Sequence, residues 1–190
     1  AYRGVFVVED PSTSSPGLSF LLSTVALFGE GGDYPWQAYW NDLVANEVQI
    51  VSGWEEAYYG EFSGGSGEGE RPAVVSYATS PIAEVYYGEL DAAPTTVLED
   101  GCFRQIEYAG ILDGTTAETT AQQLVDFLLA RTFQEDIPLN MFVFPANSEA
   151  TLPNVFVEHA TIPADPVVMD PTVIDENRDR WLAEWASTVR

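Results

Sequence analysis

Three short stretches gather hydroxyl and aromatic side chains where a chain could meet a small molecule. Residues 10–21 read DPSTSSPGLSFL: four hydroxyl residues, Ser12 to Ser15, follow an apolar run at Val5 to Val8 and precede Pro16, Gly17 and a second apolar run. Pro belongs in a first helical turn, where its missing N–H would have had no partner, and Ser15 just before it is a favourable N-cap. The stretch therefore predicts strand, hydroxyl-rich turn and helix start. Free N–H groups and the positive end of the helix dipole there suit an anionic or acceptor-rich ligand. Residues 51–54 and 77–81 repeat the layout with Trp54, Tyr77, Ala78, Thr79, Ser80 and Pro81. In open α/β sheets ligands collect outside the carboxyl ends of the strands. Ser14, Ser15, Trp54, Tyr77, Thr79 and Ser80 would then face one region, offering hydroxyl donors and two aromatic faces.

That set suits binding better than catalysis. A serine nucleophile needs a base, and the single histidine, His159, lies in a Pro-rich stretch where a surface or hydrogen-bonded role is expected. No Gly-x-Ser-x-Gly elbow occurs, and no phosphate-binding loop, since the Gly-rich stretch 63–69 has no lysine. Acidic pairs such as Glu9-Asp10 and Glu55-Glu56 arise by chance in a chain this acidic, and no metal site is read from them. Trp54 directly follows Gly53 at a helix start, an unusual place for a core tryptophan. Its face could stack on a flat ring or hold a cation, or pack on a neighbouring lobe.

The 190 residues allow one large domain or two small lobes. With 46% hydrophobic and 19% charged residues the composition is that of a folded globule. The net charge is −23, and none of the seven basic residues is a lysine. This excludes nucleic-acid binding through a phosphate-neutralising patch and favours cations at long range. Cys102 is the only cysteine, so no internal disulfide forms, and it reads as a small buried hydrophobe. The chain begins at Ala1 and carries neither a signal-peptide pattern nor a run long enough for a membrane helix. A processed or truncated soluble chain is expected.

Periodicity supplies the elements that would position these groups. Strands are expected at Tyr2 to Val8, Val48 to Val51, Val74 to Tyr77, Val97-Leu98, Phe103 to Leu112 and Met141 to Phe144. Helices are expected at Gly17 to Phe28, Pro35 to Ala45, from Gly53 onward, at Ile82 to Tyr87, Ala117 to Thr132 and Asp170 to Val189. Residues 63–71 read as a flexible loop and 145–172 as irregular. Alternating strands and helices imply an α/β fold, a mostly parallel sheet flanked by helices.

Several motifs occur in order: TSSPGL at 13–18, GWEEAY at 53–58, SYATSP at 76–81, FLLARTFQEDIP at 127–138, MFVFP at 141–145 and RDRWLAEW at 178–185. Together they resemble the thiamine-binding subunit of bacterial ABC importers, within the type II periplasmic binding protein fold, over nearly the whole chain. The resemblance implies two α/β lobes joined by crossing strands, with residues 1–106 plus 149–190 in the second lobe and 107–148 in the first, whose N-terminal part would precede Ala1. It implies ligand contacts at Ser14, Ser15, Trp54, Tyr77, Ala78, Thr79, Ser80 and Phe142. Ser15 replaces a threonine of the family pattern and Ala78 another. Phe142 stands where a stacking tryptophan can occur, and Ala83 where a tyrosine can.

The function implied is extracytoplasmic capture of thiamine, thiamine monophosphate or thiamine diphosphate for an ABC permease, with no cofactor, catalytic residue or metal. The location would be periplasmic or cell-surface, anchored through a preceding segment. The ligand's cationic thiazolium suits the π-faces of Trp54, Tyr77 and Phe142, and its hydroxyl or phosphate tail suits the hydroxyl turns. By itself the 190-residue chain is expected to bind thiamine weakly or not at all. Two alternatives stay open: a same-fold receptor for a ferric ion or chelate, a polyamine or an organic anion, for which Tyr58-Tyr59 and Tyr86-Tyr87 are available, and an enzyme acting on a thiamine-like compound.

Overall fold

The computed structural model describes residues 2–65 and 67–190, so Ser66 of the expected 63–71 loop lies outside the described residues. Along the chain run β1 (Phe6–Glu9), α1 (Ser15–Phe28), α2 (Trp36–Ala45), β2 (Gln49–Val51), a π-helix (Glu56–Glu61), β3 (Ala73–Val74), α3 (Ser80–Gly88), α4 (Glu118–Leu129), α5 (Arg131–Met141), α6 (Asn154–His159) and α7 (Pro171–Thr188). They group into two compact units. The first comprises Ala1–Ala78, Pro94–Gln105 and Ile162–Arg190, and the second Thr79–Ala93 and Ile106–Thr161.

The first unit is built on a parallel three-stranded sheet with β1 in the centre, in the order β2-β1-β3. Val7 pairs with Gln49 and Val74, and Glu9 with Val51. Side chains alternate across a strand, so β1 feeds both faces. Val8 joins Leu21, Leu22, Val25, Trp36, Trp40, Trp181 and Trp185 beneath α1, α2 and α7. Val7 joins Val51, Ala57 and Val74 on the opposite face, beneath the π-helix. The helical face is locked by aromatic edges. Trp40 meets Trp185 at 5.6 Å and Phe20 at 5.5 Å, both edge-on, and its indole N–H donates to Thr24 Oγ1 at 3.0 Å. The spaced tryptophans of the sequence are thus core residues, joining three helices distant in the chain.

In the second unit α4 and α5 follow one another across Ala130, whose extended backbone ends one helix and starts the next. The helix expected at Ala117 to Thr132 therefore stops at Leu129. Pro138 sits inside α5, where it removes one intrahelical donor without ending the helix. Gln134 ties the corner together: its amide donates to the Leu128 carbonyl at 2.7 Å and accepts the Ala146 N–H at 2.6 Å.

Several expected elements are corrected. Residues 97–98 and 103–112 are not strands. Phe103 makes an isolated bridge to Val167, and Ile106, Tyr108 and Leu112 are exposed. The residues have strand composition, but among the described residues no neighbouring strand offers them a ladder. Met141 is helical rather than extended, and Phe142 closes α5 in the left-handed region at φ 51°. The stretch 145–172 contains α6. The helix begun at Gly53 settles into a π-helix. Cys102 is half-buried rather than enclosed. Burial, with Glu99 and Asp100 nearby, pushes its thiol up and keeps it protonated.

Trp40 is the side chain on which α1, α2 and α7 converge. Truncation in Trp40→Ala leaves a large cavity and removes the indole donor to Thr24, whose hydroxyl keeps its bond to the Leu21 carbonyl, so urea unfolding is expected to show a loss of about 3–5 kcal/mol. A loss below about 1 kcal/mol would mean the helices hold together without it.

Candidate functional site

The carboxyl end of β1 runs straight into the hydroxyl turn. Asp10 organises it. Its carboxylate accepts the Ser12 N–H at 2.8 Å and the Ser12 hydroxyl at 2.5 Å, and its carbonyl accepts the N–H groups of Thr13 and Ser14. Thr13 Oγ1 donates to the Ser52 carbonyl at 2.7 Å, tying this turn to the one after β2. The N-cap of α1 is Ser14, one residue before the expected Ser15, and Ser15 is the first helical residue. The Ser14 side chain makes no capping hydrogen bond. Pro16 lies in the first turn as expected. Gly17 follows because nothing larger fits: a Cβ there would lie 2.5 Å from the Glu9 carbonyl oxygen.

After β2, Ser52 donates its N–H and hydroxyl to the Glu56 carboxylate at 3.1 and 2.8 Å, which holds that carboxyl below its usual range. The turn carries Trp54 outward. Its indole N–H donates to Ser76 Oγ at 2.8 Å, one ring face stacks on Tyr58 at 4.9 Å, and Tyr59 and Tyr77 approach at 5.4 and 6.2 Å. Trp54 is half-buried, and Tyr59 and Tyr77 are exposed. The π-helix spans Tyr58 and Tyr59. This rare geometry marks functional sites more often than chance.

The expected site residues thus fall into groups. In the first unit the structure joins Trp54 and Tyr77 in one aromatic cluster. Ser14 and Ser15 stand on the turn that Thr13 bonds to Ser52, two residues before Trp54, and Ala78 ends the unit half-buried. Thr79, Ser80 and Phe142 belong to the second unit. There Thr79 and Ser80 open α3, which starts two residues earlier than expected, and both are buried. Phe142 packs against Tyr87 at 5.4 Å, Tyr86 at 6.0 Å and Phe156 at 6.3 Å. His159 sits at the end of α6 with Glu158 at 3.9 Å.

The sequence offered Tyr58 and Tyr59 only as a tyrosine pair for a ferric-ion ligand, and did not single out Glu9 as a site residue. Glu9 is fully buried at 0% exposure, and neither carboxyl oxygen has a hydrogen-bond partner among the described residues. Desolvation pushes its carboxyl up to about 7. The available signal was an acidic residue closing an apolar strand run directly before the hydroxyl turn. Among the described residues no group of His, Cys, Asp and Glu could hold a metal ion.

Residues 1–165 match the family model described as bacterial extracellular solute-binding protein. The chain belongs to this family. Its relatives include the thiamine-binding periplasmic protein of Escherichia coli (strain K12), 31% identical over 183 residues, which cover 96% of this chain and 53% of the relative. The protein of the same name from Brucella suis is 31% identical, covering 97% and 53%. A solved structure titled periplasmic thiamin binding protein superposes with a TM-score of 0.80 at 29% identity, covering 100% of this chain and 55% of that one. The chain spans about half the length of the relatives it matches. In this solute-binding family member the α/β fold with a parallel sheet is as the sequence implied. Among the described residues no helix is long and apolar enough to cross a membrane.

Glu9 gives the unit a pH signature. Its folded pKa, about 7, exceeds the ordinary 4.5, so the folded state holds that proton more tightly than the unfolded chain does. Its contribution is complete below the ordinary value and is lost as pH rises through 7. Urea unfolding of the wild type should therefore lose roughly 2–3 kcal/mol between pH 5 and pH 8 relative to Glu9→Gln. Parallel stability profiles would show that the carboxyl titrates normally.

Proposed function

We propose that this chain carries ligand-contacting residues of an extracytoplasmic solute-binding protein that captures thiamine or its phosphates and passes them to an ABC importer. The observation that carries the reading is the Trp54 cluster at the carboxyl end of the sheet, in a chain whose relatives are named for thiamine binding along nearly its whole length. The family tie supports a binding role over an enzymatic one, and the relatives' periplasmic names support an extracytoplasmic location.

The chemistry is complementary to such a ligand. Trp54 and Tyr77 present π-faces, which attract a cationic ring by about 0.5–2 kcal/mol depending on desolvation. The anchored indole N–H holds the Trp54 ring at a fixed tilt, so little side-chain entropy is lost on stacking. The Ser14 side chain makes no capping hydrogen bond, and Ser14 and Ser15 stand at the first N–H groups of α1. A hydroxyl or phosphate tail would be received there. Thr79, Ser80 and Phe142 are proposed as the second unit's own ligand contacts. A net charge of −23 raises the local concentration of a cation and weakens that effect as salt is added.

Calorimetric titration of the full natural polypeptide with thiamine tests the reading. Binding is expected, and Trp54→Ala should weaken it by more than about tenfold, through loss of stacking and of the ring's fixed placement. Absence of binding would sink the function, whereas an unchanged dissociation constant in the variant would remove Trp54 from the site.

A further inference from the structure

The least explained group in the molecule is Glu9. It ends the central strand at the carboxyl edge of the sheet, fully buried, with both carboxyl oxygens unpartnered among the described residues. Alternation along β1 puts it on the face of Val7, which is the face covered by the π-helix through Ala57. Its partner in register is Val51. On the other side β3 pairs with Val7 at Val74 and ends there; Val75 donates its N–H to the Val7 carbonyl at 3.0 Å, and the next residue is Ser76, the acceptor of the Trp54 indole. The unpaired carboxyl therefore ends the strand whose two neighbours lead, within three residues, into Trp54 on one side and Ser76 on the other.

Nothing positive answers it locally. Gln49, Ile50 and Val51 of β2 carry no charge. On the neighbouring turn Asp10 is engaged by Ser12, and on the π-helix side Glu56 is engaged by Ser52. The remaining ionisable groups on these elements are Glu55, Tyr58, Tyr59, Glu61 and Tyr77. The cations of this region sit at the amino end of the sheet. Arg3 pairs with Glu47, and Arg71 donates to the carbonyls of Glu47 and Phe6. A carboxyl held this way resists ionisation until a positive charge arrives, because an unpaired buried charge is costly and a paired one much less so.

We infer that Glu9 is the anionic group that selects a positively charged ligand at the Trp54 corner, and that it gives up its proton when that ligand binds. Contact is not required. In a low-dielectric surrounding a charge acts over several ångströms without contact, and a cation held at Trp54 favours ionisation of a nearby buried carboxyl. By linkage, the affinity for a cationic ring rises with pH and binding expels a proton to solvent. The raised carboxyl, near 7, places this coupling in the neutral range. A neutral solute of the same shape would bind without it. The inference rests on the thiamine reading above.

The test is calorimetry on the full natural polypeptide with thiamine at pH 6 and pH 8, in buffers of different ionisation enthalpy, for the wild type and Glu9→Gln. Wild-type affinity is expected to rise by up to about tenfold, the ratio of ionised fractions for a group titrating near 7, with proton release seen as a buffer-dependent enthalpy. Glu9→Gln should lose both the rise and the buffer dependence. The buffer dependence of the wild type stands as a reading of its own if the variant proves unstable. Tight binding with the same proton linkage in both proteins, or with none in the wild type, overturns the role of Glu9 and leaves the thiamine reading intact. No binding by the wild type at either pH overturns both.

Discussion

The close approach of α1 to the last carbonyl of β1 sets the geometry of everything at the carboxyl edge of the sheet. Gly17 permits it, since any Cβ would collide with the Glu9 backbone. In the turn between, Asp10 gathers the N–H groups of Ser12, Thr13 and Ser14. The Thr13 hydroxyl then reaches the Ser52 carbonyl and couples the first turn to the second. The seat of α1 on Gly17 and the Thr13 bond to Ser52 thus join the first turn to the one that carries Trp54.

The opposite faces of the sheet have different tasks. Beneath α1, α2 and α7 the packing is dense and aromatic, with Trp40, Trp181 and Trp185 nearly or fully buried. Such a core is worth far more in stability than the small cluster of Val7, Val51 and Ala57 on the other side. That second face carries the irregular features: a π-helix, a stacked Trp54–Tyr58 pair and a buried carboxyl without a partner. Strain and unsatisfied polarity persist only where the surrounding structure holds them in place. Here the rigid helical face supplies that support.

Much of the first unit was legible in the sequence. Pro16, Gly17 and the hydroxyl run announced a strand-to-helix turn, and the spaced tryptophans announced core helices at 36–45 and 171–188. These signals are local, arising from fixed φ, missing donors and the 3.6-residue period. The errors came where local composition needed a distant partner. Residues 103–112 have strand composition but no neighbour to pair with among the described residues. The helix expected to run from Ala117 to Thr132 instead breaks at Ala130, and α5 continues to Met141. Phe142, read as part of a strand, instead closes a helix in the left-handed region.

The sequence by itself determined the family, the parallel α/β arrangement and the position of the hydroxyl turn, because each follows from residue order and short-range sterics. Only the tertiary structure decided that Glu9 is a buried, unpartnered carboxyl rather than one acid among thirty. It also decided that Trp54 leans on Tyr58 with its N–H held by Ser76. Burial and partnership belong to neighbours that lie tens of residues apart in the chain, and no local pattern specifies them.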